Sequence, residues 1–246
     1  MFSFLKNHPF AVEAHFDYSL TLTFAVHKKY LQHLIPSCLE LDTYEDKWAF
    51  IAVALVQTNG LRPKGFRPFM GEDFFLVGYR VFVRYNNGKG RRLRGLYILK
   101  SETDSKKMAM IGNLFTHYHF VQTDINFSKG IDYNEIKSPK NDFYLKYVET
   151  AEVSFLPNDS PFADMHEARK FSGPLPFTFT FNEAKKSVLI VEGVRENWKP
   201  VPVNILDYHF PFLEQLNIGK PLLANAFIIK NIPYYWKKGK EELWKG

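Results

Sequence analysis

Four residues combine a type and a spacing that can do chemistry: Arg80, His117, His119 and Glu192. His117 and His119 stand two apart, so on a strand they share one face and can converge on a pocket. A His-x-His pair binds a transition metal when a third ligand arrives, and Glu192 is a conceivable third. Glu192 alternates with Val188, Ile190 and Val194, an otherwise apolar row, so its burial requires a partner. Two readings need no metal: a polar pocket, or histidines hydrogen-bonded in the core or rim with Glu192 paired to an arginine such as Arg80. No metal and no cofactor is assigned. Arg80 and Arg84 share the even face of their segment with Phe82, opposite Tyr79, Val81, Val83 and Tyr85. Pointing inward, Arg80 would clamp a carboxylate, because guanidinium offers a planar two-pronged fork. The odd face is the more apolar, which favours the arginines as surface residues.

Other candidates carry less. Cys38 follows Pro36 and Ser37 in an apolar setting and reads as a small buried residue. The run Lys89-Gly-Arg-Arg-Leu-Arg, with Arg62, Lys64 and Arg67, makes a basic, aromatic neighbourhood. Such charge can hold nucleic acid, yet a basic turn tip also keeps an exposed hairpin soluble. Phosphate or an acidic metabolite is the less demanding partner, and nucleic acid is not expected. The sequence has no Gly-x-Gly-x-x-Gly after a strand, no phosphate-binding loop, no Gly-x-Ser-x-Gly and no His-Glu-x-x-His.

The elements that must position these residues are mostly strands. Val12, Ala14, Phe16, Tyr18, Leu20, Leu22, Phe24 and Val26 alternate with polar residues, which predicts a strand with one buried face. Its length predicts a bend, or a strand shared between two sheets. A short helix is expected in HKKYLQHLIP, a central strand over 48–57, and a loop over 60–73. Segments 79–85 and 93–100 flank Asn86-Asn87-Gly88-Lys89-Gly90, a hairpin signal. Asp104 or Ser105 can cap a helix carrying Met108, Ile111, Leu114 and Phe115. Strands are expected at 117–127, 143–155, 177–181, 187–195 and 222–229, with a helix at 204–216. About ten strands by this alternation predict a mostly β protein, an antiparallel barrel or sandwich with a few short helices.

The 246 residues carry 32 Lys+Arg against 26 Asp+Glu, and 46% are hydrophobic, enough for a core and against intrinsic disorder. No low-complexity linker divides the chain, so one domain spanning 1–246 is expected, with an amphipathic tail from about 233. The longest apolar run, Trp48 to Val56, falls far short of a membrane span, and the N-terminus does not read as a signal peptide. The single cysteine excludes an internal disulfide framework, and a cytoplasmic location is expected.

Several segments, in their order, resemble the DUF2071 (YqjF-like) family. They are residues 34–44 (LIPSCLELDTY), 62–65 (RPKG), 79–84 (YRVFVR), 95–99 (GLYIL), the Leu114-Phe115 helix end and 198–202 (WKPVP). The resemblance covers most of 10–205 and implies an acetoacetate decarboxylase-like β-barrel with an internal pocket. In the decarboxylases, a lysine made nucleophilic by an adjacent lysine and a dry pocket forms a Schiff base with a β-keto acid. Here His119 and Phe120 fall where the lysine pair would stand, and Leu76 falls near the expected glutamate. An imidazole cannot form that Schiff base. Lys106-Lys107, the only nearby pair, comes well before that position and reads as a solvated first helical turn.

These expectations converge on a protein with an aromatic-lined pocket that binds a small organic acid and turns it over, if at all, without the Schiff-base lysine. Arg80, His117, His119 and Glu192 are its expected pocket residues. The competing reading is a non-catalytic interaction protein that uses the basic hairpin and the aromatic tail. Pairing of two copies through a strand edge fits either reading.

Overall fold

The computed structural model describes residues 5–149, 156–173, 175–196 and 198–245. Fourteen strands and three α-helices are present among them. In chain order the first strands are β1 (Val12–His27), β2 (Glu40–Leu41), β3 (Trp48–Pro63), β4 (Glu72–Asn86) and β5 (Arg92–Thr103). Helix α1 (Lys106–Phe115) precedes β6 (Phe120–Gln122), β7 (Asn126–Lys129), β8 (Asn134–Ser138) and β9 (Phe143–Glu149). Helix α2 (Met165–Phe171) leads to β10 (Phe177–Asn182), β11 (Ser187–Arg195) and β12 (Val201–His209). Helix α3 (Pro211–Gln215), β13 (Leu222–Trp236) and β14 (Lys240–Leu243) complete the order.

Seven strands pair in a closed ring: β1, β3, β4, β5, β10, β11 and β13, which returns to β1. All these pairings are antiparallel except β5 with β10. Closure removes most free edges, and alternation then sends successive side chains into the ring or out of it. A second sheet, β12-β9-β8-β7, branches from β13. It covers one outer side of the ring. The largest core lies between them, where Leu20, Leu22, Ile51, Val53, Val77 and Tyr79 meet Ile136, Phe143, Leu145 and Tyr147. The fold is thus a barrel with a sandwich on its flank.

One bulge decides what the interior is made of. The even positions of β1 do not form one buried face. The register shifts between Phe16 and Tyr18, and a one-residue slip exchanges the two faces of a strand. Ala14 and Phe16 pack inside the ring with Phe227 and Ile232, whereas Leu20, Leu22 and Phe24 join the outer core. Ser19 and Thr21 face the interior instead. The bend expected from the strand's length is this bulge.

Other elements depart from the sequence reading. Residues 204–216 are not one helix: β12 runs to His209 and only Pro211–Gln215 is helical. Pairing with β9 holds the segment extended, and Pro211 at the first helical turn starts α3. The short helix expected near Lys28 is a pair of 3-10 turns, Lys28–Tyr30 and Gln32–Leu34. The 60–73 loop is shorter than expected, because β3 continues to Pro63 and β4 starts at Glu72. The expected tail is sheet: β13 extends to Trp236, and β14 pairs with β11. The strand expected over 143–155 ends at Glu149 in β9, and its residues 150–155 lie outside the described residues. The hairpin and the Ser105 cap are as expected; the Ser105 hydroxyl accepts the Met108 N–H at 3.0 Å.

Candidate functional site

The ring encloses a cavity of about 470 Å³ to which all seven of its strands contribute side chains. β3 supplies small residues, Ala52 and Ala54, which leave the space open. β4 turns Phe74, Leu76, Arg80 and Phe82 inward, and β5 adds Leu96 and Ile98. Helix α1 lies across one end with Met108, Ile111 and Phe115. The N-terminal segment is stitched there too, His8 N–H donating to the Phe115 carbonyl at 3.2 Å and Gly239 N–H to the His8 carbonyl at 2.9 Å.

Three arginines line this cavity: Arg62, which is paired to Glu13 at 2.8 Å, and two others, Arg80 from β4 and Arg195 from the end of β11. Arg80 folds back along its own strand over Gly78, where a β-carbon would stand 2.9 Å from Nε. Arg195 lies against the rings of Trp198 and Tyr234, at 4.4 and 5.6 Å. Neither makes an ion pair among the described residues, and Arg80 Nε and Arg195 Nη2 are buried without a hydrogen-bond partner there. Burial pushes the Arg80 guanidinium down, and Arg195 pushes the same way against the Tyr234 and Tyr118 phenols. Burial likewise pushes Arg195 down, opposed by Tyr234. The one carboxylate among the described lining residues, Glu72, is taken by Lys107 at 2.7 Å and Ser105 at 2.8 Å. Two desolvated cations without a counterion are costly, and an anion in the cavity would relieve both.

Aromatic polar groups complete the wall. Tyr118 is buried, its hydroxyl has no well-formed hydrogen bond among the described residues, and burial raises its phenol well above the ordinary range. Tyr234 reaches in over Gly193; a β-carbon there would collide with the phenol oxygen, so glycine is required by close approach. His8 is buried beside Tyr118, with ring centroids 5.4 Å apart and Nε2 unpartnered. Burial first, and His117 second, lower its imidazole to about 4, so it is neutral near pH 7.

Of the sequence candidates, Arg80 lines the cavity, and the other three do not. Both faces of its strand are covered, so the choice between a buried odd face and a surface even face was too narrow. Tyr79, Val81 and Val83 enter the outer core, while Arg80 and Phe82 point into the ring. Arg84, next on that face, pairs with buried Asp42, as does Arg94 at 2.6 Å. His117 and His119 are not on a strand. β6 begins at Phe120, and His119 adopts φ 52°, which breaks the pleat. It is their neighbours Thr116, Tyr118 and Phe120 that line the cavity. Glu192 pairs with Lys237 at 2.8 Å on the outer face of β11, not with Arg80. Alternation along β11 explains this, since Gly193 and Arg195 face Tyr234 and the interior. Among the described residues no three His, Cys, Asp or Glu side chains come together to hold a metal ion.

Sequence reasoning missed Arg195, Tyr118, Tyr234 and His8. Arg195 was findable, as the odd partner of a strand whose even face drew attention through Glu192. Leu76, expected from the resemblance near the decarboxylase glutamate, and Phe120, expected at one of the lysine positions, both line the cavity. Lys107 is the only lysine among the described lining residues. Its side chain is 58% exposed and ion-paired, not the dry setting of a Schiff-base amine.

The comparisons agree with this architecture. The chain belongs to the DUF2071 family, described as "Uncharacterized conserved protein (COG2071)", which matches residues 13–229. No curated protein matches it. Its fold is acetoacetate decarboxylase-like. It is similar to the acetoacetate decarboxylase of Legionella pneumophila subsp. pneumophila str. Philadelphia 1, with 13% identity, TM-score 0.61, and 94% of this chain and 86% of that one covered. An acetoacetate decarboxylase-like enzyme from Sphingomonas wittichii RW1 gives 12% identity, TM-score 0.53 and coverages of 95% and 91%. The enduracididine biosynthesis enzyme MppR, complexed with pyruvate, gives 10%, 0.55, 94% and 89%. No helix among the described residues is long and apolar enough to cross a membrane.

Proposed function

We propose that this protein binds a small organic acid inside the barrel, its carboxylate received by Arg80 and Arg195. The observation that carries the reading is a pair of guanidinium groups facing one cavity, Arg80 Nε and Arg195 Nη2 buried and unpartnered, with no carboxylate among the described lining residues free to neutralise them. An apolar cavity of about 470 Å³ with a few convergent polar groups has the size and character of a ligand site. MppR, similar in fold, is complexed with an acid of this general class. If the bound acid is turned over, the groups in reach are neutral His8 and the Tyr118 phenol, which can move or hold a proton, and not a Schiff-base lysine.

The basic-hairpin reading has less support. Arg92 is paired to Glu40 at 2.6 Å, Arg84 and Arg94 to Asp42, and Arg62 to Glu13 at 2.8 Å. Those charges are largely spent within the protein rather than offered as a surface.

A thermal-shift panel of organic acids, phosphorylated metabolites and neutral analogues tests the proposal. Acids should stabilise the wild type and leave the Arg80→Met/Arg195→Met variant unmoved. Equal shifts in both proteins, or a response to neutral analogues alone, would sink it.

A further inference from the structure

The walls between the arginines and the cavity's opening are mostly apolar, interrupted by Thr58 beside Phe74 and Ser101 beside Gly78. β4 descends from the rim, where Lys107 and Ser105 hold Glu72, through Phe74, Leu76 and Gly78 to Arg80. Facing this stretch are Ile98 of β5 and Met108, Ile111 and Phe115 of α1, none of which carries a hydrogen-bond donor or a strong acceptor in its side chain. The exposed lining residues, Phe10 at 36%, Met70 at 50% and Lys107 with its side chain 58% exposed, mark the opening. The loop that carries Met70 also exposes Phe66 and Phe69 beside it in sequence, and α1 exposes Met110 and Leu114. An acid the size of acetate would occupy the arginine end and leave this apolar passage wet, at a cost that grows with the area left exposed.

We infer that the ligand is an amphipathic monocarboxylate, an alkyl or aryl acid of medium size. Its carboxylate lies inward on Arg80 and Arg195, and its apolar tail runs outward past Phe74 and Leu76 along α1. This rests on the acid-site reading above and names the ligand class for it. The tail selects by buried area, and the arginines select by charge.

The experiment is a calorimetric titration of the full chain with acetate, butanoate, hexanoate, octanoate and decanoate, alongside pyruvate, 1-octanol and octylamine. Affinity should rise about fourfold per added methylene until the tail reaches the rim, then level off. Octanol and octylamine should bind at least about tenfold more weakly than octanoate, since only a carboxylate satisfies both guanidinium groups. Met108→Trp, narrowing the passage, should shift the tightest acid to a shorter chain. Arg80→Lys, which keeps the charge but loses the fork, should weaken every acid. Acids that bind through the arginines with no dependence on chain length would overturn the amphipathic ligand and leave the acid site standing. Octanol binding as tightly as octanoate, or no binding by any acid, would overturn both.

Discussion

Arg80→Met should make the ligand-free protein more stable. The native guanidinium points into the barrel with Nε buried and unpartnered, and no carboxylate answers it among the described residues. Keeping a charge in such a place costs several kcal/mol even after relaxation. The Tyr118 and Tyr234 phenols offset only part of that, while Arg195 adds to it. Methionine keeps an unbranched apolar stem at this position and removes the charge. The net gain should be about 2 kcal/mol, which for a chain of this size raises Tm by roughly 4–8 °C. Urea unfolding should show a higher midpoint with an unchanged slope. Adding an acid at 100 times its Kd should stabilise the wild type by about 2.7 kcal/mol and the variant not at all. The two proteins would then exchange rank or nearly meet. A variant less stable than the wild type by 2 kcal/mol or more would mean that Arg80 is paired within the fold, and the ligand argument built on it would fail.

Three further outcomes follow from named contacts. Gly193→Ala puts a β-carbon into the Tyr234 phenol oxygen and should cost about 1–3 kcal/mol; Tyr234→Phe should recover part of that in a double-mutant cycle, and strict additivity would show the clash to be relieved elsewhere. Asp42→Asn leaves Arg84 and Arg94 without their shared, fully buried carboxylate, so denaturant unfolding should show a loss of about 3 kcal/mol, and a neutral result would refute a structural role. His8 titrates near 4 in the folded protein against about 6.5 when unfolded. Because its folded value is depressed, the stability it contributes is full above pH 6.5 and falls away as pH drops toward 4, by about 3 kcal/mol in all. His8→Phe should flatten that part of the Tm–pH curve, and an identical slope would assign the loss to other groups.

The secondary structure that builds the site was largely legible, because alternation is a local property. The hairpin of β4 and β5 announced itself through Asn86 to Gly90, and α1 through Ser105 and its apolar spacing. The helix expected over 204–216 failed because pairing with β9 outweighs local periodicity in a segment of mixed pattern. His117 and His119 failed for a smaller reason: the left-handed conformation of His119 ends the alternation from which their shared face was read.

Most of the long strands, that they form a barrel or sandwich, and that Arg80 is a candidate anion clamp came from the amino-acid sequence alone. Which face of each strand meets the interior did not. Alternation defines two faces but cannot rank them when both are buried, and here the ring has a core outside and a cavity inside. The bulge after Phe16 exchanges the faces of β1, Gly78 and Gly193 open room for Arg80 and Tyr234, and β11 brings Arg195 from more than a hundred residues away to the same cavity. Ring closure sets those relationships, and closure is a property of pairings distant in sequence, which only the tertiary structure decides.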